Sequence, residues 1–279
     1  MDISLALGGG GAKGLAHIGV IRSLEREGFR IRAVAGTSFG GLVAAFHAAG
    51  YDARQIEDLY AAVDQHLFFG GAARGGAALY DLSGARDWLT LTLGDRTFED
   101  CIVPCAVTAT NLDTGHEVLI SHGLLREAVL AAIAFPGVFP PAEWQGQRLI
   151  DGAVIDPVPV ANARSLAPGI PVIAVVLSLP AGPPSRRLSL PVTEHLPRII
   201  TRRLAKTRIA RGWAVFMRSV DIGSRQLAEL QLRLQQPDVV IRPAVEHIGL
   251  FDRVDVRLTT CLGDAAVEAA IPQLRELTA

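Results

Sequence analysis

The stretch AVAGTSFGGL carries Ser38, a residue suited to nucleophilic chemistry, within the pattern G-x-S-x-G. Apolar residues precede this pattern and a helical pattern follows it, which predicts a sharp turn from a strand into a helix. Gly36 and Gly40 leave room for the turn, so that the serine hydroxyl is exposed to a substrate. A serine that only caps the following helix is the alternative.

A second glycine cluster, GGGGAKG, lies between a short apolar segment and a helical pattern. Glycines let several backbone N–H groups converge on one anion, and a helix N-terminus adds a favourable dipole. Gly9, Gly11 and Gly14 also fit the dinucleotide pattern G-x-G-x-x-G, but the second predicted strand ends without the carboxylate of such a site. A Walker loop would need Gly-Lys-Ser/Thr, which AKGL does not provide. The cluster therefore favours an oxyanion hole, and we expect alanine at Gly10 or Gly11 to lower turnover far more than stability.

Asp151 is the candidate base for the serine. It ends an apolar strand-like segment and precedes a glycine, and a carboxylate in apolar surroundings is costly unless it is paired or functional. An aspartate that only forms a turn before the glycine is the alternative. In the chain order serine, aspartate, histidine, His195 and His247 could complete a triad. His247 follows the last predicted strand and is the better placed of the two.

Strand-like and helix-like segments alternate along the chain. This alternation predicts an α/β fold with a mostly parallel sheet flanked by helices in three layers. The carboxyl ends of neighbouring parallel strands meet at one edge of a sheet, so Ser38 and the glycine loop are expected to face one crevice. We predict a single domain over residues 1–279, with residues 181–235 as a helical insertion or cap.

Composition argues against several classes of function. A net charge of -1 gives no general attraction to nucleic acid. The three cysteines fit buried thiols in a reducing compartment, and Cys101 and Cys105 have no second pair with which to hold a metal. The N-terminus lacks a signal-peptide pattern and no apolar run reaches the length of a membrane span. We therefore expect a cytoplasmic protein without a metal or cofactor.

The motifs GGGGAKG, GTSFG and DGA, in this order, resemble those of the patatin-like phospholipases, in particular the small bacterial members with a single domain. The resemblance extends over nearly the whole chain, through LALGGGGAKGLAHIGVI, IRAVAGTSFGGLVAAFHAAG, TATNLDTGHEVLI, FPGVFPP and DGAVIDPVPV. Two positions depart from the family's usual pattern. Ala132 stands where a serine is common, and Asp156, which we expect to shape a turn before Pro157, stands where an asparagine is common. Both departures bear on the pocket wall rather than on the catalytic pair.

The resemblance implies a serine–aspartate dyad in which Ser38 is the nucleophile and Asp151 the base. It also implies an oxyanion hole made by the N–H groups of Gly9, Gly10, Gly11 and Phe39. The remaining positions that match the family's motifs are Gly14, Gly36, Gly40, Gly152 and Ala153. The implied activity is hydrolysis of lipid acyl esters, of the phospholipase A or lysophospholipase type, through an acyl-enzyme. An acyltransferase on the same dyad and a non-catalytic regulatory member of the fold are the alternatives.

Two segments are candidates for contact with a lipid substrate. Residues 66–80 combine leucine and phenylalanine with glycines, as expected of a lid over an apolar groove. Residues 186–218 carry nine lysines or arginines and one acid, Glu194, in a chain that is otherwise near neutral. This asymmetry favours peripheral contact with an anionic membrane at its cytoplasmic face, with a solvated basic surface as the alternative.

Overall fold

The protein is described by a computed structural model for residues 1–63, 78–178 and 208–277. In these ranges eight strands form one sheet. The strands are β1 Asp2–Leu7, β2 Arg30–Thr37, β3 Cys105–Asn111, β4 Glu117–Ile120, β5 Ala142–Trp144, β6 Gln147–Asp151, β7 Val172–Val175 and β8 Val239–Ile241. The helices are α1 Ala16–Arg26, α2 Phe39–Ala48, α3 Ala53–Ala62, α4 Ser83–Leu93, α5 Leu125–Ala132, α6 Val160–Leu166, α7 Arg208–Gln235 and α8 Val256–Glu276.

The sheet is parallel in its centre and antiparallel at one end. Strands β3, β2, β1, β7 and β8 pair in parallel in that order. Strands β4 and β6 both run antiparallel to β3, and β5 runs antiparallel to β6. The predicted fold class, a mostly parallel sheet flanked by helices, is confirmed.

Both faces of the sheet are covered, because side chains of β1 alternate between two apolar cores. Ile3, Leu5 and Leu7 are fully buried in one core with residues of α1, α2 and α8. Ala6 is buried in the other core with residues of α6 and α7. A strand buried on both faces has a continuous apolar sequence, which explains the pattern ISLAL.

The helices α1 and α8 cross at two glycines. A Cβ on Gly19 of α1 would overlap the carbonyl oxygen of Thr260 in α8, and a Cβ on Gly263 of α8 would overlap that of Ala16 in α1. The two backbones are therefore in direct contact, and the last helix of the chain supports the helix that follows the glycine loop.

The three cysteines differ in burial. Buried thiols are found at Cys105, whereas Cys101 is half-buried and Cys261 is exposed. In the described ranges, none of the helices combines the length and apolar character that a bilayer span requires. The insertion or cap over residues 181–235 stays a prediction, since only its part from Arg208 onward, within α7, lies in the described ranges.

Candidate active site

Ser38 lies on a strained turn between β2 and α2. Its backbone has φ 53 and ψ -127, a conformation that costs a residue with a side chain of the order of 1–3 kcal/mol. The glycines around it are needed for close packing: a Cβ on Gly36 would overlap the carbonyl of Gly40, and a Cβ on Gly40 would overlap that of Leu7. The Ser38 side chain makes no capping hydrogen bond to α2. The alternative of a serine that only caps the helix is therefore not what the structure contains.

The hydroxyl of Ser38 instead donates a hydrogen bond to Asp151. The distance from Ser38 Oγ to Asp151 Oδ2 is 2.6 Å. The other carboxylate oxygen, Oδ1, accepts a hydrogen bond of 2.8 Å from the backbone N–H of Ala153. Asp151 is 1% exposed and Ser38 8% exposed. Both oxygens of the buried carboxylate thus have a donor, and one of the two donors is the candidate nucleophile.

Burial controls the acidity of Asp151. It raises the pKa of this carboxyl to about 6, against the opposing effect of the hydrogen bonds from Ser38 and Ala153, which favour the charged form. Asp151 is therefore ionised above pH 6 and can accept a proton there. Its pKa also lies far closer to neutrality than that of an exposed aspartate, which makes it a better general base.

The loop between β1 and α1 contains backbone N–H groups with and without a hydrogen-bond acceptor in the described ranges. The N–H of Gly9 donates to the carbonyl of Pro157 at 3.0 Å, and that of Ala12 donates to Leu250 at 2.9 Å. No acceptor for the N–H groups of Gly10 and Gly11 is found in the described part of the chain. The expectation that Gly9 supplies an oxyanion donor therefore needs correction, because its N–H is already committed to Pro157.

Gly9 is required for packing instead. A Cβ at this position would lie 3.3 Å from the Cβ atoms of both Ser38 and Ala153, closer than most real contacts. Gly14 has a similar role, since a Cβ there would overlap the ring of Phe39. Phe39 begins α2, and its N–H likewise has no acceptor in the described ranges. The candidate donors are thus Gly10, Gly11 and Phe39.

A histidine that the sequence analysis did not select supports the glycine loop. His17 Nε2 lies 2.7 Å from the carbonyl oxygen of Gly8 and donates to it, since a carbonyl can only accept. Complete burial lowers the pKa of His17 to about 4, so the ring is neutral. A histidine at the start of the first helix, close in sequence to the glycines, is the signal that could have identified it.

Two buried threonines, one at the end of β2 and one in the middle of β3, hold the turn in place. Thr37 Oγ1 lies 2.8 Å from Thr108 Oγ1 and donates a hydrogen bond of 2.8 Å to the carbonyl of Asp156. Thr108 also lies against the backbone after the base, where a Cβ on Gly152 would overlap its hydroxyl. Neither threonine was predicted as part of the site, although AVAGT and AVTAT each place a polar residue in an apolar strand-like run.

A cavity of about 200 Å³ opens against Ser38 and Asp151. Most of its wall is apolar, and the larger apolar side chains that line it include Leu15, Leu42, Ile133, Phe135, Phe139 and Phe251. One part of the wall is charged and contains Lys13, Asp221, Arg225 and Asp252. Lys13 is 5% exposed, and burial lowers its pKa.

Of the two histidines proposed to complete a triad, only His247 lies in the described ranges, and it is not bonded to the dyad. In the described part of the chain, neither Ser38 nor Asp151 is hydrogen-bonded to a histidine. His247 is exposed at the surface, and His195 lies outside the described residues. The predicted lid over 66–80 lies outside them up to residue 77, and the basic segment 186–218 lies outside them up to residue 207.

Sequence similarity relates the chain to a known protein family. The sequence profile of the family "Patatin-like phospholipase" matches residues 5–164, more than half of the chain. The chain belongs to the patatin-like phospholipase family. The matched segment includes the glycine loop, Ser38 and Asp151.

Patatin-like relatives are found in bacteria and fungi. An uncharacterised NTE family protein of Mycobacterium bovis is 34% identical over 189 residues, which cover 65% of this chain and 51% of that protein. Lysophospholipase NTE1 of Saccharomyces cerevisiae is 31% identical over 173 residues, which cover 58% of this chain and 10% of that protein. The chain therefore spans about half the length of the first relative and a small part of the second.

The patatin-like fold is also found in a solved structure. VipD from Legionella pneumophila superposes with a TM-score of 0.59 at 13% sequence identity, over 99% of this chain and 66% of VipD. At this level of identity the likeness concerns the fold alone.

Proposed function

We propose that the protein is a serine hydrolase of lipid acyl esters, of the phospholipase A or lysophospholipase type, that uses Ser38 and Asp151 as a catalytic dyad. The observation that carries the proposal is the 2.6 Å hydrogen bond from Ser38 Oγ to the buried Asp151 carboxylate. Membership of the patatin-like phospholipase family and similarity to a yeast lysophospholipase support the same class of substrate.

In the proposed reaction Ser38 Oγ attacks the ester carbonyl carbon while its proton moves to Asp151 Oδ2. The resulting tetrahedral oxyanion accepts hydrogen bonds from the N–H groups of Gly10, Gly11 and Phe39. A preorganised donor of this kind contributes about 3–4 kcal/mol to transition-state stabilisation. The intermediate then collapses, and the proton on Asp151 passes to the departing alcohol.

The second half of the reaction removes the acyl group from Ser38. A water molecule attacks the acyl-enzyme while Asp151 accepts its proton, and the fatty acid leaves as Ser38 recovers the proton. An alcohol in place of water would give acyl transfer from the same intermediate. Hydrolysis is the reaction we propose, and analysis of the acyl products separates the two.

The lining of the cavity supports the proposal that the substrate carries an acyl chain. Its apolar wall is suited to a hydrocarbon chain, and burying each CH₂ group contributes about 0.8 kcal/mol. The charged part of the wall, with Lys13 and Arg225, is suited to the polar portion of a lipid. The dyad lies along the same wall, so an ester between an acyl chain and a polar group can reach Ser38.

We also infer peripheral contact with an anionic membrane. Helix α7 lines the cavity with Val220 and Ser224 and carries exposed apolar side chains at Val215, Phe216 and Ile222. Its first residues belong to the basic segment 186–218. We expect vesicles of anionic lipid to bind the protein less well as salt is added, because salt screens surface charge. Phe216→Ser should weaken this binding, whereas Leu258→Ser, at a more exposed apolar position on α8, should not.

The proposed function is tested by covalent labelling with a fluorophosphonate probe. We expect the wild-type protein to be labelled and Ser38→Ala not to be. Ser219→Ala, which removes a surface hydroxyl on α7, is the matched control and should be labelled like the wild type. Absence of labelling in a folded wild-type protein, together with no hydrolysis of a short-chain ester, would indicate the non-catalytic alternative.

A further inference from the structure

The backbone of Asp156 and Pro157 is hydrogen-bonded to all three parts of the site. The N–H of Asp156 donates to the carbonyl of Gly152, the residue after the base, at 2.8 Å. The carbonyl of Asp156 accepts from Thr37 Oγ1, next to the nucleophile, at 2.8 Å. The carbonyl of Pro157 accepts from the N–H of Gly9 in the glycine loop at 3.0 Å. A shift of this one segment would disturb base, nucleophile and oxyanion loop together.

The side chain of Asp156 is buried with few hydrogen-bond donors. It is 3% exposed, and among the described residues no side chain or backbone group is found in hydrogen-bond geometry with its Oδ1 atom. Its Oδ2 atom accepts 3.1 Å from Asn162 Nδ2, and the same nitrogen lies 2.6 Å from Glu117 Oε1. Asp156 and Glu117 therefore share one amide donor. By contrast, each carboxylate oxygen of Asp151 has a donor of its own.

A buried carboxylate with so few donors is costly in its charged form. The charged group that faces Asp156 is Glu117, at the start of β4. The side chains that contact this segment from the other elements are neutral, namely Asn162 from α6, Thr37 from β2 and Gln231 from α7. Burial and then the negative charge of Glu117 raise the pKa of Asp156 to about 7.

We propose that Asp156 is a positioning residue that holds the dyad and the glycine loop together while its carboxyl group is protonated, and that its ionisation loosens all three. The proposal rests on the proposed function, since it concerns the geometry of the same site. An ionised Asp156 would be repelled by Glu117 and would have as donors only the shared amide of Asn162 and the backbone N–H of Val158, so the segment that carries it would move away from Thr37 and Gly9. The neutral acid has the shape and polarity of asparagine.

The pH dependence of ester hydrolysis tests the proposal. In the wild type, we expect kcat/KM to fall by about tenfold or more between pH 7 and 8.5, as Asp156 ionises. Asp156→Asn cannot ionise and should retain its activity up to pH 8.5. Glu117→Gln removes a neighbouring negative charge, which lowers the pKa of Asp156, and should therefore move the alkaline fall to lower pH. Glu143→Gln on β5 also removes an exposed carboxylate and should behave as the wild type does. An alkaline fall that is equal in wild type and Asp156→Asn would overturn the proposal.

A stability measurement separates this proposal from the proposed function. A carboxyl whose pKa is raised on folding contributes stability that is lost as pH rises from its unfolded value of about 4 to its folded value. The free energy of unfolding of Asp156→Asn relative to wild type should therefore increase between pH 4 and 7 and be constant above. A difference that does not change with pH would overturn the positioning role, whatever the activity. A wild type that neither hydrolyses esters nor reacts with the probe would refute the proposed function instead.

Discussion

Asp151 meets Ser38 because β6 and β2 lie end to end along one edge of β3. Thr108 of β3 pairs with Thr37, the last residue of β2, and the next residue, Ala109, pairs with Asp151, the last residue of β6. Strand β4 pairs with both Thr108 and Ala109 and must therefore occupy the other edge of β3. The two strands run toward each other and stop one register position apart, which brings hydroxyl and carboxylate together.

The strain at Ser38 predicts a difference between two inactive variants. Ser38→Ala and Ser38→Gly should both lose hydrolysis, because both lack the nucleophile. Glycine adopts a positive φ without the cost that alanine keeps, so Ser38→Gly should be more stable than Ser38→Ala by about 1 kcal/mol. Urea denaturation of the two variants measures this difference. Equal stabilities would mean that the turn is not strained.

Asp151→Asn should lower activity and raise stability. Loss of the general base is expected to reduce the rate by about 10²–10⁴-fold. The pKa of Asp151 is raised to about 6 on folding, so the wild type loses stability as pH rises from about 4 through 6. The asparagine variant avoids this loss and should gain up to about 3 kcal/mol at pH 8. Denaturation curves at pH 5 and pH 8 test it, since the gain must be larger at pH 8.

The glycine loop predicts that Gly11→Ala is mainly a folding defect. A Cβ on Gly11, which has φ 56, would overlap the carbonyl of Leu250. Gly115 has φ 73 with open space around it and provides the matched control. We expect Gly115→Ala to cost about 1 kcal/mol from backbone strain, and Gly11→Ala at least twice that. This overlap argues against the sequence-based expectation that alanine at Gly11 lowers turnover far more than stability.

The histidines outside the dyad should be dispensable for chemistry. We expect His247→Ala and His195→Ala to retain most of the hydrolytic activity and to keep the fold. A pH profile alone cannot distinguish dyad from triad, because the raised pKa of Asp151, about 6, is close to that of an imidazole. Initial rates of the two variants on one short-chain ester give the answer. An inactive but folded His247→Ala would replace the dyad with a triad.

The sequence predicted the parts of the site that depend on local patterns. The turn at Ser38 and the sheet of alternating strands and helices follow from glycine spacing and from apolar runs that a chain must bury. The commitment of the Gly9 N–H to Pro157 could not be predicted, because it depends on how a segment almost 150 residues later packs against the loop. The same is true of the antiparallel β6, whose sequence RLID has no mark of its direction.

For Asp156, the neighbouring sequence predicted the turn, whereas the burial of its side chain depends on tertiary packing. Its sequence context, before a proline, predicted a turn, and the chain does change direction there. Its burial beside Glu117 arises from the pairing of β4 with β3 and from the packing of α6, which place two acids on one amide. A departure from the family's usual asparagine was the visible signal, but only the tertiary structure gives the physical reason why that position matters.

The glycine crossing of α1 and α8 also limits how the protein can be shortened for expression. The family profile ends at residue 164, yet α8 begins at Val256 and fills the groove beside Gly19. A fragment cut after residue 164 would leave that groove open to water and would remove β7, the neighbour of β1. We expect such a fragment to be recovered as aggregate, so the smallest soluble unit must extend through α8.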